Sequence, residues 1–229
     1  MDIEAITDHA IIATLHKLAH KYGIKYILSG SNVATEATLP KNWIWNKSDH
    51  VNLKDIHNKY GKVKLKTFPL FNNTLKKLSK AKGVEVVTPL NYMAYNKAAV
   101  KKIITAELSW RDYGGKHYES VFTRFYQGYI LPVKFNIDKR KAHLSNLIFS
   151  GEMTKDEANS EMKKSAYSEN DLPGDYEFVI KKLNFTEDEF NKWLKEPRRE
   201  HYDFKVDSSI WKKYSLLRPF EKMRNAFKK

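Results

Sequence analysis

The sequence contains no cysteine, which excludes disulfide bonds, thiolate catalysis and every cysteine-ligated zinc site. It also lacks any apolar run that approaches the roughly 20 residues of a membrane-spanning helix. Met1 is followed by acidic Asp2 and Glu4 instead of the basic and apolar segments of a signal peptide. From these absences we expect a cytoplasmic protein without a membrane span.

The charge of the chain is strongly unbalanced. Its 229 residues include 41 Lys and Arg against 27 Asp and Glu, a formal charge of +14, and 41% of them are hydrophobic. Such a chain is long and apolar enough for one folded domain, alone or with a helical appendage. The excess positive charge favours polyanions, but nucleotide phosphates, nucleic acids and anionic sugars all meet that description.

Helices and short strands alternate in the first half of the sequence. Apolar spacing predicts a helix over 8–22, and a β-rich run predicts a strand over 24–28. Further strands are predicted over 63–68 and 84–88, followed by a helix over 95–108. Because a strand, a helix and another strand usually form a parallel crossover, this order indicates an α/β fold.

The second half is predicted to be mainly helical, with helices over 118–129 and 139–150. Two Thr-x-x-Glu capping boxes mark further helix starts, at Thr154 and at Thr186. The segment 165–175, which contains Pro173-Gly174, is the predicted flexible joint.

A polar turn follows the first predicted strand, where open α/β sheets bind ligands. It contains Ser29, Gly30 and Asn32, with Glu36 shortly after, and these residues suit hydrogen bonding to a nucleotide or an acceptor. The same residues also fit an ordinary polar turn with an Asx hydrogen bond, and that alternative stays open.

A basic cluster begins at Trp110 and includes Arg111, Lys116, His117 and, on the next helix, Arg124. Arginine binds oxyanions through two hydrogen bonds and lysine acts as a point charge, so the cluster suits phosphate binding. A helix start with Lys139, Arg140 and Lys141 after the expected N-cap Asp138 offers a second phosphate site. Loops or helix faces with solvated charges are the alternative in both cases.

Three histidines, His9, His16 and His20, are spaced along one side of the first helix. Expected at the surface and offset from the apolar stripe, they lack an evident fourth ligand, so no metal site is predicted. The sequence has no Ser-His-Asp signature, Walker loop or dinucleotide-binding glycine motif.

Several stretches within about residues 1–165 resemble the N-acetyl sugar amidotransferase family. They comprise Asp8-His9, the run 25–32 with Ala34-Thr35-Glu36, the run 65–69, and 110–147, which reads WRDYGGKHYESVFTRFYQGYILPVKFNIDKRKAHLSNL. Members resemble PP-loop ATP pyrophosphatases with a HUP-like α/β sheet and belong to surface-polysaccharide pathways such as lipopolysaccharide O-antigen synthesis.

The resemblance implies conversion of an acetamido group to an acetamidino group on a nucleotide-linked N-acetyl sugar. ATP with Mg²⁺ would adenylylate the amide oxygen, and ammonia from glutaminase and cyclase-like partners would displace AMP. Cations then bind the phosphates, with Arg111, Lys116, His117 and Arg124 as the catalytic candidates. The nucleotide- or acceptor-binding candidates are Ser29, Gly30, Asn32, Glu36, Lys139, Arg140 and Lys141.

One departure limits the resemblance. The family has an upstream Ser-Gly-Gly-x-Asp-Ser pyrophosphate loop and cysteine pairs, whereas the only double glycine of this sequence is Gly114-Gly115. We therefore expect a truncated or split-gene product, with a separate polypeptide carrying the PP-loop half.

The predicted fold class is thus α/β, a partial HUP-like parallel sheet with a mainly helical C-terminal region. The predicted domains are 1–109, part of the PP-loop ATPase-like α/β domain; 110–165, a basic helical active-site region; and 166–229, a helical extension. Two alternatives remain: a basic RNA-binding protein related to tRNA-modifying PP-loop enzymes, which is less favoured, and a non-catalytic remnant that docks the partners.

Overall fold

The computed structural model describes residues 2–113, 118 and 120–207. Its first part contains α1 Ala5–Tyr22, β1 Tyr26–Leu28, α2 Val33–Glu36, α3 His50–Tyr60, α4 Asn73–Ala81, β2 Glu85–Val87 and α5 Lys97–Leu108. The second part contains α6 Val121–Phe125, a π-helical turn Tyr126–Ile130, α7 Leu131–Phe135, α8 Lys139–Phe149, α9 Lys155–Lys163, α10 Leu172–Lys182 and α11 Glu187–Lys195. Short 3₁₀ turns occupy Lys41–Trp43, Pro89–Tyr92 and His201–Asp203.

The two strands pair in parallel, with Tyr26 opposite Glu85 and Leu28 opposite Val87. This confirms the predicted parallel crossover, and it makes the fold partly α/β but mostly helical over the described residues. The strand predicted over 63–68 is wrong, because that segment is irregular. Its lysines alternate with exposed apolar residues, and among the described residues it has no partner strand that could fix an extended conformation.

The ends of the helices follow the predicted capping chemistry. Helix α1 ends at Gly23, whose φ of 67° is the left-handed conformation that glycine adopts without strain. Both capping boxes, at Thr154 and at Thr186, are present with their reciprocal hydrogen bonds. Pro173 and Gly174 instead lie in the first turn of α10, where proline is tolerated, so the predicted joint is not a Pro-Gly turn.

Helix α1 buries two of its three histidines and exposes part of its aliphatic stripe. His9 is 0% exposed and His16 is 8% exposed, on a face otherwise made of alanines, whereas Ile11, Leu15 and Leu18 are exposed. The prediction that the three histidines lie at the surface is therefore wrong for His9 and His16, whereas His20 is partly exposed. Hydropathy failed here because hydrogen bonds offset the burial of the imidazole rings.

His9 is held by two backbone groups. The Phe71 amide donates to its Nε2 at 2.9 Å, so the ring is neutral and Nδ1 donates to the Lys47 carbonyl at 2.8 Å. His16 Nδ1 lies 2.9 Å from the Ser79 hydroxyl of α4, and the His16 ring lies 4.6 Å from that of Phe71. The buried histidines therefore join α1 to α4 and to the irregular segment before it.

Both faces of the two-stranded sheet carry exposed apolar side chains. The register places Tyr26 and Leu28 on one face and Val86 on the other, and all three are more than half exposed. Parallel sheets are normally covered on both faces. We refer to these exposed residues on both faces of the sheet, together with the exposed Ile11, Leu15 and Leu18 of α1, as the uncovered α/β surface.

The main hydrophobic core lies in the second half of the chain, around Phe125, which is 0% exposed. Its ring packs against those of Tyr129, Tyr167, Tyr176 and Phe190, with centroids 5.0–6.3 Å apart. These rings belong to the helical stretch 121–135, to α10 and α11, and to the segment between α9 and α10. Aromatic packing thereby holds these helices together.

The buried histidines predict a stability that depends on pH. Burial lowers the pKa of His9, His16 and His50 below the ordinary 6.5. Below about pH 6.5 the unfolded chain binds more protons at these groups than the folded chain does. The free energy of unfolding is therefore highest above about pH 6.5 and falls as the pH drops below it. We expect urea unfolding between about pH 7.5 and about pH 5.5 to show this fall, with a shallower slope for His16→Gln. Equal slopes for the two proteins would contradict the assignment.

Candidate functional site

A cavity of about 750 Å³ lies between α2, α8 and the helical stretch that starts at α6. Its volume falls within the range of small-molecule sites. The lining residues that the argument uses are Glu36, Arg124, Gln127, Asp138, Lys139 and Arg140. We call it the large cavity.

Asn146 of α8 holds the α2 side of the large cavity in place. Its Oδ1 accepts a hydrogen bond from the Thr38 amide at 2.8 Å, and its Nδ2 donates to the Thr35 carbonyl at 3.1 Å. The side chain is 3% exposed. Sequence analysis missed this residue, although its spacing of four from Ala142 places it on the buried face of α8.

The opposite wall contains the π-helical turn, a rare form that is frequent at functional sites. Gly128 of this turn lines the cavity and packs closely on the segment before α10. A Cβ at Gly128 would lie 2.7 Å from the Tyr167 ring and 3.1 Å from the Ala166 carbonyl oxygen. The absence of a side chain therefore permits the close approach that shapes this wall.

Arg124 lines the cavity but is already bound by α10. Its guanidinium donates to Asp175 and lies over the rings of Tyr118 and Tyr167, at 5.3 and 5.9 Å. Burial alone would lower the Arg124 pKa, but hydrogen bonds to Asp175 and Tyr167 outweigh burial and raise it. Arg124 consequently remains charged and fixes α6 against α10.

Arg140 is bound in a similar way at the start of α8. Asp138 caps the helix by accepting from the Arg140 amide at 3.0 Å, as predicted. The Arg140 guanidinium donates to both oxygens of Asp138 and, at 2.8 Å, to the Lys164 carbonyl. Burial would raise the pKa of Asp138, but these hydrogen bonds lower it. The charge of Arg140 at the helix start is thus neutralised from within the chain.

The formal charges around the large cavity cancel among its described residues. Four cations face four carboxylates: Arg124, Lys139, Arg140 and Lys164 against Glu36, Asp138, Glu161 and Asp171. An ATP triphosphate needs an excess of cations, and its Mg²⁺ needs carboxylates that are not committed to cations. The described lining of the large cavity therefore does not fit an ATP and Mg²⁺ site.

The structure brings together only some of the predicted site residues. Glu36, Arg124, Lys139 and Arg140 all line the large cavity. Asn32 instead caps α2, because its Oδ1 accepts from the Thr35 amide at 2.8 Å, which bears out the Asx alternative. Four further described candidates do not line it: Gly30, Arg111 and Lys141 are exposed, and Ser29 is half-buried. Lys116 and His117 lie outside the described residues.

Two further searches concern metals and membranes. Over residues 2–113, 118 and 120–207, no group of three or more histidine and acidic side chains could bind a metal ion. Within the same ranges, no helix is long and apolar enough to span a membrane.

Comparison with known proteins gives one family. Residues 119–218 match the family described as "LPS biosynthesis protein WbpG-like, C-terminal domain". The match covers less than half of the chain and supports a family of biosynthetic enzymes that act in lipopolysaccharide synthesis. No curated protein and no solved structure matches the chain.

The close contact at Gly128 predicts that a single added methyl group destabilises the fold strongly. Gly128→Ala should lower the free energy of unfolding by about 1–3 kcal/mol, because its Cβ would overlap the Tyr167 ring. Gly174→Ala in α10 is the matched control, since a Cβ there meets nothing within 4 Å and alanine favours helix. Thermal unfolding of both variants measures the difference, and equal stabilities would contradict the close packing.

The Arg124–Asp175 contact predicts strong coupling between the two residues. In a double-mutant cycle with Arg124→Met and Asp175→Asn, we expect a coupling energy of about 1–3 kcal/mol in unfolding. The reason is that either single change leaves a partly buried charge without its partner. Additive effects in urea unfolding would show that the pair does not hold α6 against α10.

Proposed function

We propose that the chain supplies the acceptor-binding part of an ATP-dependent N-acetyl sugar amidotransferase in lipopolysaccharide O-antigen synthesis. The observation that carries the proposal is which parts of the sequence line the large cavity. Most residues that line the large cavity fall within the stretch that matches the lipopolysaccharide biosynthesis family. The other wall comes from α2, in the part of the sequence that resembles the amidotransferases.

The balanced charge of the large cavity suits a sugar better than a triphosphate. Sugar hydroxyl groups are both donors and acceptors, so carboxylates and cations side by side can bind them. Glu36 at the end of α2 and Lys139 at the start of α8 would bind such hydroxyl groups from opposite sides.

Two buried polar atoms complement an acetamido group. Among the described residues, Arg124 Nε and Gln127 Oε1 are buried without a hydrogen-bond partner. An N-acetyl group presents one carbonyl acceptor and one N–H donor, the complement of these two atoms. Because Arg124 and Gln127 are three residues apart on one helical stretch, they would hold the amide in a fixed orientation.

The activating half of the reaction then belongs to another segment of chain. We propose that a PP-loop polypeptide covers the uncovered α/β surface, completes a HUP-like parallel sheet and binds ATP and Mg²⁺. Two-stranded parallel sheets with exposed faces are unusual, which supports a missing layer. Glutaminase and cyclase-like partners would supply the ammonia. The role of this chain would be to position the amide oxygen and to exclude water.

The alternatives have less support. RNA binding would use the net positive charge and the aromatic residues near Trp110. Trp110 instead packs edge-on against Tyr113 at 5.5 Å, with Lys101 over its ring. These aromatic and basic groups thus pack against one another. A non-catalytic docking remnant would not need a cavity of about 750 Å³.

Selectivity for the acetamido group tests the proposal. In titration calorimetry, the chain should bind UDP-N-acetylglucosamine more tightly than UDP-glucose, which differs only at that position. Gln127→Met should lower this ratio of affinities about fivefold, because it removes one hydrogen-bond acceptor at similar volume.

Lys164→Met is the matched control, because Lys164 also lines the cavity but ion-pairs with Glu161. It should change both affinities equally and preserve their ratio. If folded wild-type chain binds both sugars equally, and Gln127→Met changes nothing, the acceptor-site proposal is wrong.

A further inference from the structure

A second, smaller cavity adjoins the large one. It has a volume of about 290 Å³ and lies between the turn Lys41–Trp43 and the segment 198–202. Its floor is formed by Tyr126, Leu131, Phe135 and Ile137. We call it the aromatic cleft. Leu39 and Lys139 line both cavities, so the two spaces meet at these residues.

Aromatic rings dominate one part of the cleft. Trp43, Trp45 and Tyr202 line it, and Tyr202 is 70% exposed. The Trp45 ring packs edge-on against His201, with centroids 4.8 Å apart, which fixes both side chains. Such rings offer faces on which a planar base can stack, and stacking contributes about 1–3 kcal/mol per base.

Unlike the large cavity, the cleft has an excess of positive charge. Among the described residues it is lined by five cations, Lys41, Lys47, Lys139, Arg198 and Arg199, against two carboxylates, Asp2 and Glu200. Both carboxylates are engaged, since Asp2 pairs with Lys47 and Glu200 with Arg198. Lys41 forms no ion pair with the described residues, so it can bind an anion directly.

Hydrogen bonding adds a third feature. His201 Nε2 lies 3.3 Å from an Asp49 carboxylate oxygen, which orients the imidazole. His201 Nδ1 is buried without a hydrogen-bond partner in the described part of the chain. In the neutral tautomer whose Nε2–H donates to Asp49, Nδ1 is an acceptor and suits an N–H group on the edge of a base.

From these three features we infer that the aromatic cleft binds a nucleoside diphosphate, with the base among Trp43, Trp45 and Tyr202 and the phosphates at Lys41 and Lys139. A free neutral sugar would leave the excess of cations in the cleft without a counter-charge. An RNA chain would need a continuous row of stacking sites, whereas the cleft has room for about one base.

Because the two cavities share a wall, a ligand in the aromatic cleft has a defined orientation relative to the large cavity. A diphosphate at Lys139 has one end in the aromatic cleft and the other at the entrance to the large cavity. A nucleotide-linked sugar would thus place its base in the cleft and its sugar in the large cavity. This last step rests on the proposed function, whereas the nucleotide site itself does not.

Titration calorimetry of the full chain at fixed ionic strength tests the inference, with UDP, ADP, uridine and pyrophosphate as ligands. We expect the two nucleoside diphosphates to bind at least about tenfold more tightly than uridine or pyrophosphate. Tyr202→Ala and Lys41→Ala should each weaken UDP binding about fivefold or more. Both side chains are exposed, so circular dichroism should show an unchanged fold.

Matched controls lie elsewhere on the surface. Tyr92→Ala removes an exposed ring, and Lys66→Ala removes an exposed cation, each outside both cavities. Neither should change UDP affinity.

Three outcomes would overturn the inference. Pyrophosphate that binds as tightly as UDP would show an anion site without base recognition. No nucleotide binding by folded chain would remove the site altogether. If Arg140→Ala abolishes UDP binding and Tyr202→Ala preserves it, the nucleotide binds in the large cavity and not in the cleft. The acetamido selectivity assigned to Gln127 concerns the large cavity alone. If that selectivity is not observed, the proposed function is wrong, but the nucleotide site in the cleft is not affected.

Discussion

Aromatic packing around Phe125 is the constraint on which the site depends. The ring is fully buried and touches four other aromatic rings, which belong to the helices and segments on either side. The helical stretch 121–135 that carries Phe125 turns one side to the large cavity, with Arg124 and Gly128, and another to the aromatic cleft, with Tyr126 and Phe135. One packed helix therefore sets the geometry of both cavities, and a shift of this helix would alter both.

Charge is distributed unevenly over this scaffold, and the distribution is more informative than the net value of +14. In the large cavity cations and carboxylates cancel, and Arg124 and Arg140 are committed to Asp175 and Asp138. In the aromatic cleft cations prevail. A ligand with a neutral polar end and an anionic aromatic end matches this pattern, and a nucleotide-linked sugar is such a ligand. The uncovered α/β surface fits the same account, in which ATP is bound by another segment of chain.

Local patterns in the sequence predicted local structure well. Capping boxes, the αL glycine after α1 and the parallel order of the strands depend on neighbouring residues or on chain topology, and all were confirmed. The errors arose where distant residues decide. Burial of His9 depends on a carbonyl group 38 residues away and an amide group 62 residues away. The contacts of Asn146 depend on Thr35 of α2 and on Thr38, 111 and 108 residues earlier. Spacing could place Arg124 and Arg140 near a site, but it could not show that acidic partners already neutralise them.

The central claim is that this chain binds the acceptor and that a second polypeptide activates it. The most direct measurement is AMP release from ATP, with a panel of UDP-linked acetamido sugars and ammonium, by the chain alone and together with a polypeptide that carries the Ser-Gly-Gly-x-Asp-Ser loop. The account predicts no AMP from the chain alone, and AMP with an equal amount of acetamidino product from the mixture. AMP formed by the chain alone, or by the second polypeptide equally well without this chain, would contradict it.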